Sequence, residues 1–315
     1  MDSADLQKLA ERTRAVREAG FALLLASGVL SLFLFIPLGS KGSAPTPVTT
    51  TATSTTSNAF ADISLTAAAA VVYDLATNEV LYAKNADTQL PLASLTKLLT
   101  VYAALTVLSP DTLITIPSAA LALEGPRAFS KGQTFTLFDV ARLTLTASLN
   151  DGATAIAQAA ADRQQISQDA MLAGAASALN LSQTFAVNGT GLDVNTAVSG
   201  GYGSARDLAI LSGALVREAA DIAAATTLNT VQAVSSNGTS VRVSNTDPIV
   251  DTIPRLLLSK TGYTDLAGGN LALVFDVGMR HPIAIIVLGS SKEKRFTDST
   301  ALVTATLTHF ANATH

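Results

Sequence analysis

The sequence predicts an α/β sandwich (α+β) around a largely antiparallel sheet, with an α-helical insert and a transmembrane helix ahead of it. Three observations carry this. A strand pair near residue 70 and a group of strands after residue 227 enclose a middle section that reads as helices, and one more helix closes the chain. No Gly-x-Gly-x-x-Gly loop follows the first strand, which argues against a parallel dinucleotide-binding sheet. An uncharged apolar run precedes the globular part.

That run, Phe21 to Gly39, holds about 19 residues and as a helix reaches ~28 Å, the depth of a bilayer core. Lys8, Arg12, Arg14 and Arg17 precede it and only Lys41 follows closely, so basic-residue asymmetry places the N-terminus in the cytoplasm. A cleaved signal peptide is the rival reading. It is disfavoured by the long leading segment, the length of the apolar run and the lack of an Ala-x-Ala site. Ser40 to Asn58 is rich in Ser, Thr and Pro and reads as a tether. The expected organisation is a cytoplasmic segment (1–20), an anchor (21–39), a linker (40–60) and a domain on the extracytoplasmic side (61–315).

Within the domain, Ala70–Asp74, a turn at Ala76–Asn78 and Glu79–Ala83 read as a β-hairpin. Leu95, Leu98, Leu99, Tyr102 and Leu105 recur at helical spacing, and Val101, Ala103 and Val107 fill the other faces, so this helix is expected to be buried on most sides. Thr136–Ala147, Asp151–Ala161, Gln168–Leu179 and Ala205–Ala219 read as helices. Thr227–Val234, Ser240–Ser244, Arg255–Ser259, Asn270–Val277 and Pro282–Gly289 read as strands, and Thr297–Ala311 as the closing helix.

Composition narrows the chemistry. The 315 residues are 48% hydrophobic and 14% charged, enough apolar content for a sizeable core. A net charge of −4 without basic blocks gives no electrostatic case for nucleic acid. The absence of cysteine excludes disulfides, thiolate zinc sites and a cysteine nucleophile. Of three histidines, His309 and His315 lie at the C-terminus and His281 falls in an expected hairpin turn, where it reads as solvated. No cofactor or metal is expected, and a hydrolase here needs a base other than histidine.

Ser94-Leu95-Thr96-Lys97 opens the buried helix, placing a hydroxyl and an amine three residues apart on one face. A helix start adds N–H groups and a positive dipole end for a nearby oxyanion. The amine must be neutral to accept a proton, which apolar surroundings and a second cation both promote. The pattern alone is weak, since Ser291 and Lys294 match it too, in a charged loop where lysine stays solvated. Two further elements distinguish the first match. Ser148-Leu149-Asn150 falls between two helices, and Lys260-Thr261-Gly262 closes a strand. Ser235-Ser236-Asn237 is a decoy for the second element, because Gly238 and flanking strands make it a turn.

Serine-lysine, Ser-x-Asn and Lys-Thr-Gly in this order are the signature of β-lactamases and penicillin-binding proteins. From Ala67 onward the chain resembles the D-alanyl-D-alanine carboxypeptidases among the low-molecular-mass penicillin-binding proteins. Lys131–Leu137, Asn188–Asp193, Ser204–Leu208 and Ala267–Gly269 match in order as well. The resemblance implies a β-lactamase/transpeptidase-like fold and acylation by peptidoglycan stem peptides ending in D-Ala-D-Ala, or by β-lactam antibiotics. It implies Ser94 as nucleophile, Lys97 as base, Ser148 as proton donor to the leaving amine and Asn150 orienting Lys97 and the substrate amide. It further implies that Lys260 supplies positive potential, that Thr261 binds the terminal carboxylate with help from Arg295, and that Gly262 clears space for the substrate backbone. The Ser94 and Tyr263 N–H groups would hold the oxyanion. Leu149, bulkier than usual between the serine and asparagine, is expected to narrow the cleft.

A class A β-lactamase would need a glutamate to activate the deacylating water, and none lies between Asn150 and Val216. A D,D-endopeptidase shares the same machinery and stays open as the alternative, as does a non-catalytic penicillin-binding sensor.

Overall fold

The computed structural model describes residues 58–313, so the Phe21–Gly39 run and most of the tether lie outside the described residues. Among the described residues no helix is long and apolar enough to cross a membrane. Strands β1 (Ala69–Asp74) and β2 (Glu79–Lys84) form the expected hairpin and join three late strands, β10 (Leu256–Thr264), β11 (Gly268–Asp276) and β12 (Pro282–Ser290). The sheet order is β10-β11-β12-β1-β2, with every neighbour antiparallel. The first strand thus pairs with the last, Val71 opposite Ile286 and Val72 opposite Ile285.

Period-two alternation sends neighbouring residues to opposite faces. Val71, Val274, Ile286 and Leu288 enter one core, whereas Val72, Leu273, Phe275, Ile285 and Val287 enter a second. Helix α7 (Lys294–Ala313) covers the second face. The first face is covered by α5 (Ala205–Glu218), which belongs to the helical insert. That insert contains α1 (Thr96–Leu105), α2 (Leu137–Ala147), α3 (Asn150–Gln164), α4 (Gln168–Ala178) and the short α6 (Ala220–Ala225). A sheet with both faces covered explains why its central strands read as continuous apolar runs.

Small strands that the apolar pattern does not reveal complete the insert: β3 (Leu90–Pro91), β4 (Leu113–Thr115), β5 (Thr134–Thr136), β6 (Phe185–Ala186) and β7 (Gly201–Gly203). They are two or three residues long and carry too few positions to show alternation. The hairpin of β8 (Thr230–Val234) and β9 (Ser240–Ser244) turns at Gly238, whose φ of 86° suits glycine, so Ser235-Ser236-Asn237 is a turn as expected. Packing reaches into the end of the tether, where Phe60 is buried and its ring centroid lies 5.8 Å from that of Tyr82.

Two expectations need correction here. His281 is not a solvated turn residue: its Nε2 lies 2.6 Å from Oδ2 of the buried Asp74, and its ring meets Phe310 edge-on at 5.0 Å. The turn itself is formed by Met279 and Arg280, at φ of 56° and 60°, which leaves His281 at the strand entrance facing β1. Leu149 does not narrow a cleft. It is 2% exposed and lies in the core cluster, because Ser148 takes a left-handed φ of 58° and turns the next residue inward.

Candidate active site

Ser94 lies in a 3-10 turn, Ala93–Leu95, that runs straight into α1. No side chain caps this start, whose Leu95 and Thr96 N–H groups donate instead to the Leu92 and Ala93 carbonyls. Ala93 holds a φ of 48°, a conformation that costs an L-residue about 1–3 kcal/mol and persists only where packing dictates it. The packing is visible on both sides. Leu92 N–H donates to the Gly201 carbonyl at 2.9 Å, and Asn270 Nδ2 donates to the Pro91 carbonyl at 3.0 Å.

Three residues after Ser94, one helical turn on, Lys97 is fully buried, with Nζ 2.8 Å from Ser94 Oγ and 2.8 Å from the Thr190 carbonyl oxygen. Burial removes water from the ammonium and lowers its pKa to about 7, against a smaller opposing pull from the Asp151 carboxylate. The apolar surroundings expected from the helix pattern therefore produce a lysine able to accept a proton near neutral pH.

Ser148 ends α2 and Asn150 begins α3, so the second element is a helix-to-helix corner, as expected. Lys260 Nζ donates to Ser148 Oγ at 2.9 Å and to the Thr261 carbonyl at 2.7 Å. The second and third elements are thereby joined directly. Lys260 is buried, and desolvation together with the charges of Lys97 and Arg295 pushes its pKa well below the usual lysine range, opposed by Asp247. Lys260–Gly262 lies inside β10 rather than at its end, since the strand runs on to Thr264 paired with Gly268.

Asn150 differs from expectation. Its Nδ2 donates to the Glu124 carbonyl at 2.6 Å, while its buried Oδ1 has no partner, and no hydrogen bond to Lys97 is formed. The loop ahead of α3 is responsible, because buried Asp151 accepts from the Ala128 and Phe129 N–H groups, both at 2.9 Å, and holds residues 124–129 over the corner. Gly262 also has a role beyond the one expected. A Cβ there would stand 3.0 Å from Leu92 O and 3.3 Å from Ser94 N, so glycine is needed for β10 to approach the nucleophile turn. Thr261 Oγ1 lies 2.6 Å from Thr246 Oγ1. Arg295, second residue of α7 and largely buried, donates to the Gly262 carbonyl at 2.5 Å, with its Nε unpartnered. Tyr263 is 44% exposed beside them, with Lys292 Nζ 5.3 Å from its ring centroid.

Lys97 and Gly262 thus adjoin the Ser94 turn directly, and Ser148 and Arg295 meet the same strand through Lys260 and Gly262. That strand, β10, is a sheet edge whose outer row of N–H and C=O groups has no strand partner. The sequence reading assigned no role to two groups that also build the site. Asn188 Oδ1 accepts from Thr190 N, Thr190 Oγ1 and Gly191 N at 2.8–3.1 Å, shaping the loop that meets Lys97. Asp193 accepts from Thr264 Oγ1 at 3.0 Å and ties that loop to β10. Both stand in the Asn188–Asp193 stretch, so the signal was present without a function attached. The other serine-lysine match is a helix start, with Lys294 N–H donating to Ser291 Oγ at 3.0 Å. A separate cavity of about 580 Å³ beside Tyr102, Phe138 and Glu218 contains none of the site residues.

A serine paired with a buried lysine at a helix start, set against the edge of a five-stranded antiparallel sheet, defines the class of penicillin-binding proteins. The chain belongs to the D-alanyl-D-alanine carboxypeptidase family, whose profile matches residues 52–292. It is 29% identical over 244 residues to the D-alanyl-D-alanine carboxypeptidase DacD of Salmonella typhimurium, a match covering 74% of this chain and 60% of that protein's length. It is 30% identical to a D-alanyl-D-alanine endopeptidase of Pseudomonas aeruginosa, over 76% of each chain. Penicillin-binding protein D2 of Listeria monocytogenes, solved with ampicillin bound, superposes with a TM-score of 0.65 at 28% identity, covering 76% of this chain and 97% of that one.

Proposed function

We propose that the protein is a serine D-Ala-D-Ala carboxypeptidase that trims the terminal D-alanine from peptidoglycan stem peptides and is acylated by penicillins. The observation that carries this reading is the Ser94–Lys97 contact, with an amine whose pKa is lowered to about 7. In the first step Ser94 Oγ bonds to the carbonyl carbon between the two D-alanines while its proton passes to Lys97 Nζ. The oxyanion forms against the N–H groups of Ser94 and Tyr263. The C–N bond then breaks, Ser148 hands a proton to the departing amine, and Lys260 restores that proton through its contact with Ser148. Free D-alanine leaves, and water adds to the ester carbonyl with its proton passing through Ser148 to Lys260, while Lys97 returns its proton to Ser94 Oγ as the ester C–O bond breaks.

Specificity follows from the groove. A peptide adding to the edge of β10 pairs its backbone with the strand, and its terminal carboxylate meets Thr261, Lys260 and Arg295. In the empty site burial and the charges of Lys97 and Arg295 lower the pKa of Lys260, and an arriving carboxylate favours its cationic form. The unpartnered Oδ1 of Asn150 offers an acceptor to a substrate amide. The Phe21–Gly39 run and the basic residues before it support a single-pass anchor in the cell membrane, with the domain outside.

The direct test is release of D-alanine from diacetyl-Lys-D-Ala-D-Ala by the full-length chain, with Ser94→Ala beside it. Release that disappears in the variant supports both the activity and the nucleophile. A folded, penicillin-labelled chain that releases nothing would favour a sensor or the endopeptidase reading, which the similarity to the Pseudomonas protein also supports. Cleavage of cross-linked peptide dimers separates those two.

A further inference from the structure

The turn joining β11 to β12 runs against the preferences of its own residues. His281 N–H donates to the Gly278 carbonyl at 3.1 Å, which makes Met279 and Arg280 the two central residues, at φ of 56° and 60°. Asn-Gly suits such a turn, because positive φ strains most L-residues. The geometry is imposed from its base. Asp276 Oδ1 accepts from Gly278 N–H at 2.6 Å and from His281 N–H at 3.0 Å, and His281 Nε2 lies 2.6 Å from buried Asp74. This braced turn holds the Met279 side chain fully in solvent, the most exposed of the large hydrophobic residues described.

The surroundings of the tip are apolar and cationic. A recess of about 420 Å³ beside it is lined by Val277, Met279, His281, Leu307 and Phe310. Arg280 is exposed and, among the described residues, forms no ion pair. Arg255, also exposed, donates through Nε to the Asp276 carbonyl at 2.7 Å and brings a second cation to this end of the sheet. Asp74 and Asp276 are engaged in the turn's own hydrogen bonds, so the exposed carboxylate at this end of β1 and β2 is Glu79. An apolar tip flanked by cations is complementary to anionic headgroups lying over acyl chains.

The described chain also enters the fold beside this recess. The Phe60 ring centroid lies 5.8 Å from that of His309, which in turn meets the Phe310 ring at 5.2 Å. Ahead of Asn58 the sequence holds the Ser/Thr/Pro-rich stretch and, before it, the Phe21–Gly39 run. The catalytic strand points the other way. Leu256 opens β10 opposite Phe275, and Lys260 to Gly262 lie about 13–20 Å further along the sheet, away from the tip.

Resting on the single-pass anchor proposed above, we infer that the β11–β12 tip is a second membrane contact. Met279 enters the headgroup layer of an anionic phospholipid surface, Arg280 and Arg255 meet its phosphates, and the catalytic groove is held off the bilayer.

The chain contains no cysteine, so Met279→Cys in the full-length protein carries a single environment-sensitive dye. Asp265→Cys, in the β10–β11 turn at the opposite end of the sheet, is the control. Both are reconstituted in vesicles of equal parts phosphatidylglycerol and phosphatidylcholine, or of phosphatidylcholine alone, and penicillin labelling verifies that each variant is folded. On the anionic vesicles the dye at 279 is expected to shift to the blue and to be quenched by spin-labelled lipid, with smaller effects on neutral vesicles and at high salt. The dye at 265 should show neither effect, and adding Arg280→Glu should remove most of the response at 279. Slower hydrogen exchange across residues 277–281 of the unlabelled wild type on anionic vesicles separates the tip's own contact from the affinity of the dye. A dye at 279 that stays in water while the chain co-sediments with vesicles overturns the inference and leaves the anchor standing. A chain that does not co-sediment overturns both. Energy transfer between tips that does not depend on anionic lipid would assign the tip to a second copy of the chain and overturns the inference as well.

Discussion

Gly191 and the Ala93 carbonyl are in such close contact that a Cβ on Gly191 would stand 1.9 Å from that oxygen and 2.6 Å from Thr96 Oγ1. The loop that supplies Thr190 to Lys97 therefore rests directly on the strained turn that presents Ser94. Gly191 also holds a φ of 74°. Gly191→Ala is expected to destabilise the fold by about 1–3 kcal/mol or more, since overpacking and a left-handed L-residue act together. Denaturant unfolding and the rate of penicillin acylation check this, and both should fall.

Lys97 sets the pH dependence. Its pKa in the fold is lowered to about 7, and only the neutral amine can take the Ser94 proton. The kcat/KM for peptide or the acylation rate by penicillin should therefore rise with pH along a limb centred near that value, and fall below it. The same shift affects stability. A folded-state pKa below that of the unfolded chain means the unfolded state binds more protons between the two values, so stability rises with pH from about 7 toward roughly 10.4 and is lowest below that window. Lys97→Met should remove the activity limb, lower acylation by about 10²–10⁴-fold and stabilise the fold at pH 6.

Lys260 makes a second, separable prediction. Burial and the neighbouring cations lower its pKa in the empty site, and a bound carboxylate raises it. Binding of a peptide ending in D-Ala-D-Ala to Ser94→Ala should raise the Lys260 pKa and so take up protons over the pH range in which that amine titrates. Calorimetry in buffers of different ionisation enthalpy measures this, and a peptide amide lacking the carboxylate should take up fewer. Arg295→Ala is expected to raise KM more than it lowers kcat, as its guanidinium lies beside the Gly262 carbonyl rather than the nucleophile.

Leu149 separates a core position from a cleft position. Buried at 2% exposure, it should cost about 2–5 kcal/mol on replacement by alanine, with little change in the KM of folded protein. A lowered KM at unchanged stability would instead place the side chain in the cleft.

The motifs that carry the site are local patterns, and local physics is legible in a sequence. A spacing of three residues from Ser94 to Lys97 brings their side chains together on any helix, and the apolar residues around them already implied a lysine stripped of water. The strands at Ala70–Asp74 and Pro282–Gly289 were likewise legible as apolar runs, and register shows them to be partners across the whole chain. Position in the groove depends on contacts between distant segments, and no local pattern encodes those. Lys260 finds Ser148 112 residues away, and His281 finds Asp74 across 207. Leu149 points inward because Ser148 turns left-handed, and Asn150 faces Glu124 because Asp151 holds a loop above it. The sequence by itself determined which groups are present for the chemistry and what they pack with nearby. The tertiary structure alone decided which long-range partners each group meets, because burial and hydrogen bonding are settled by whichever backbone arrives on the other side.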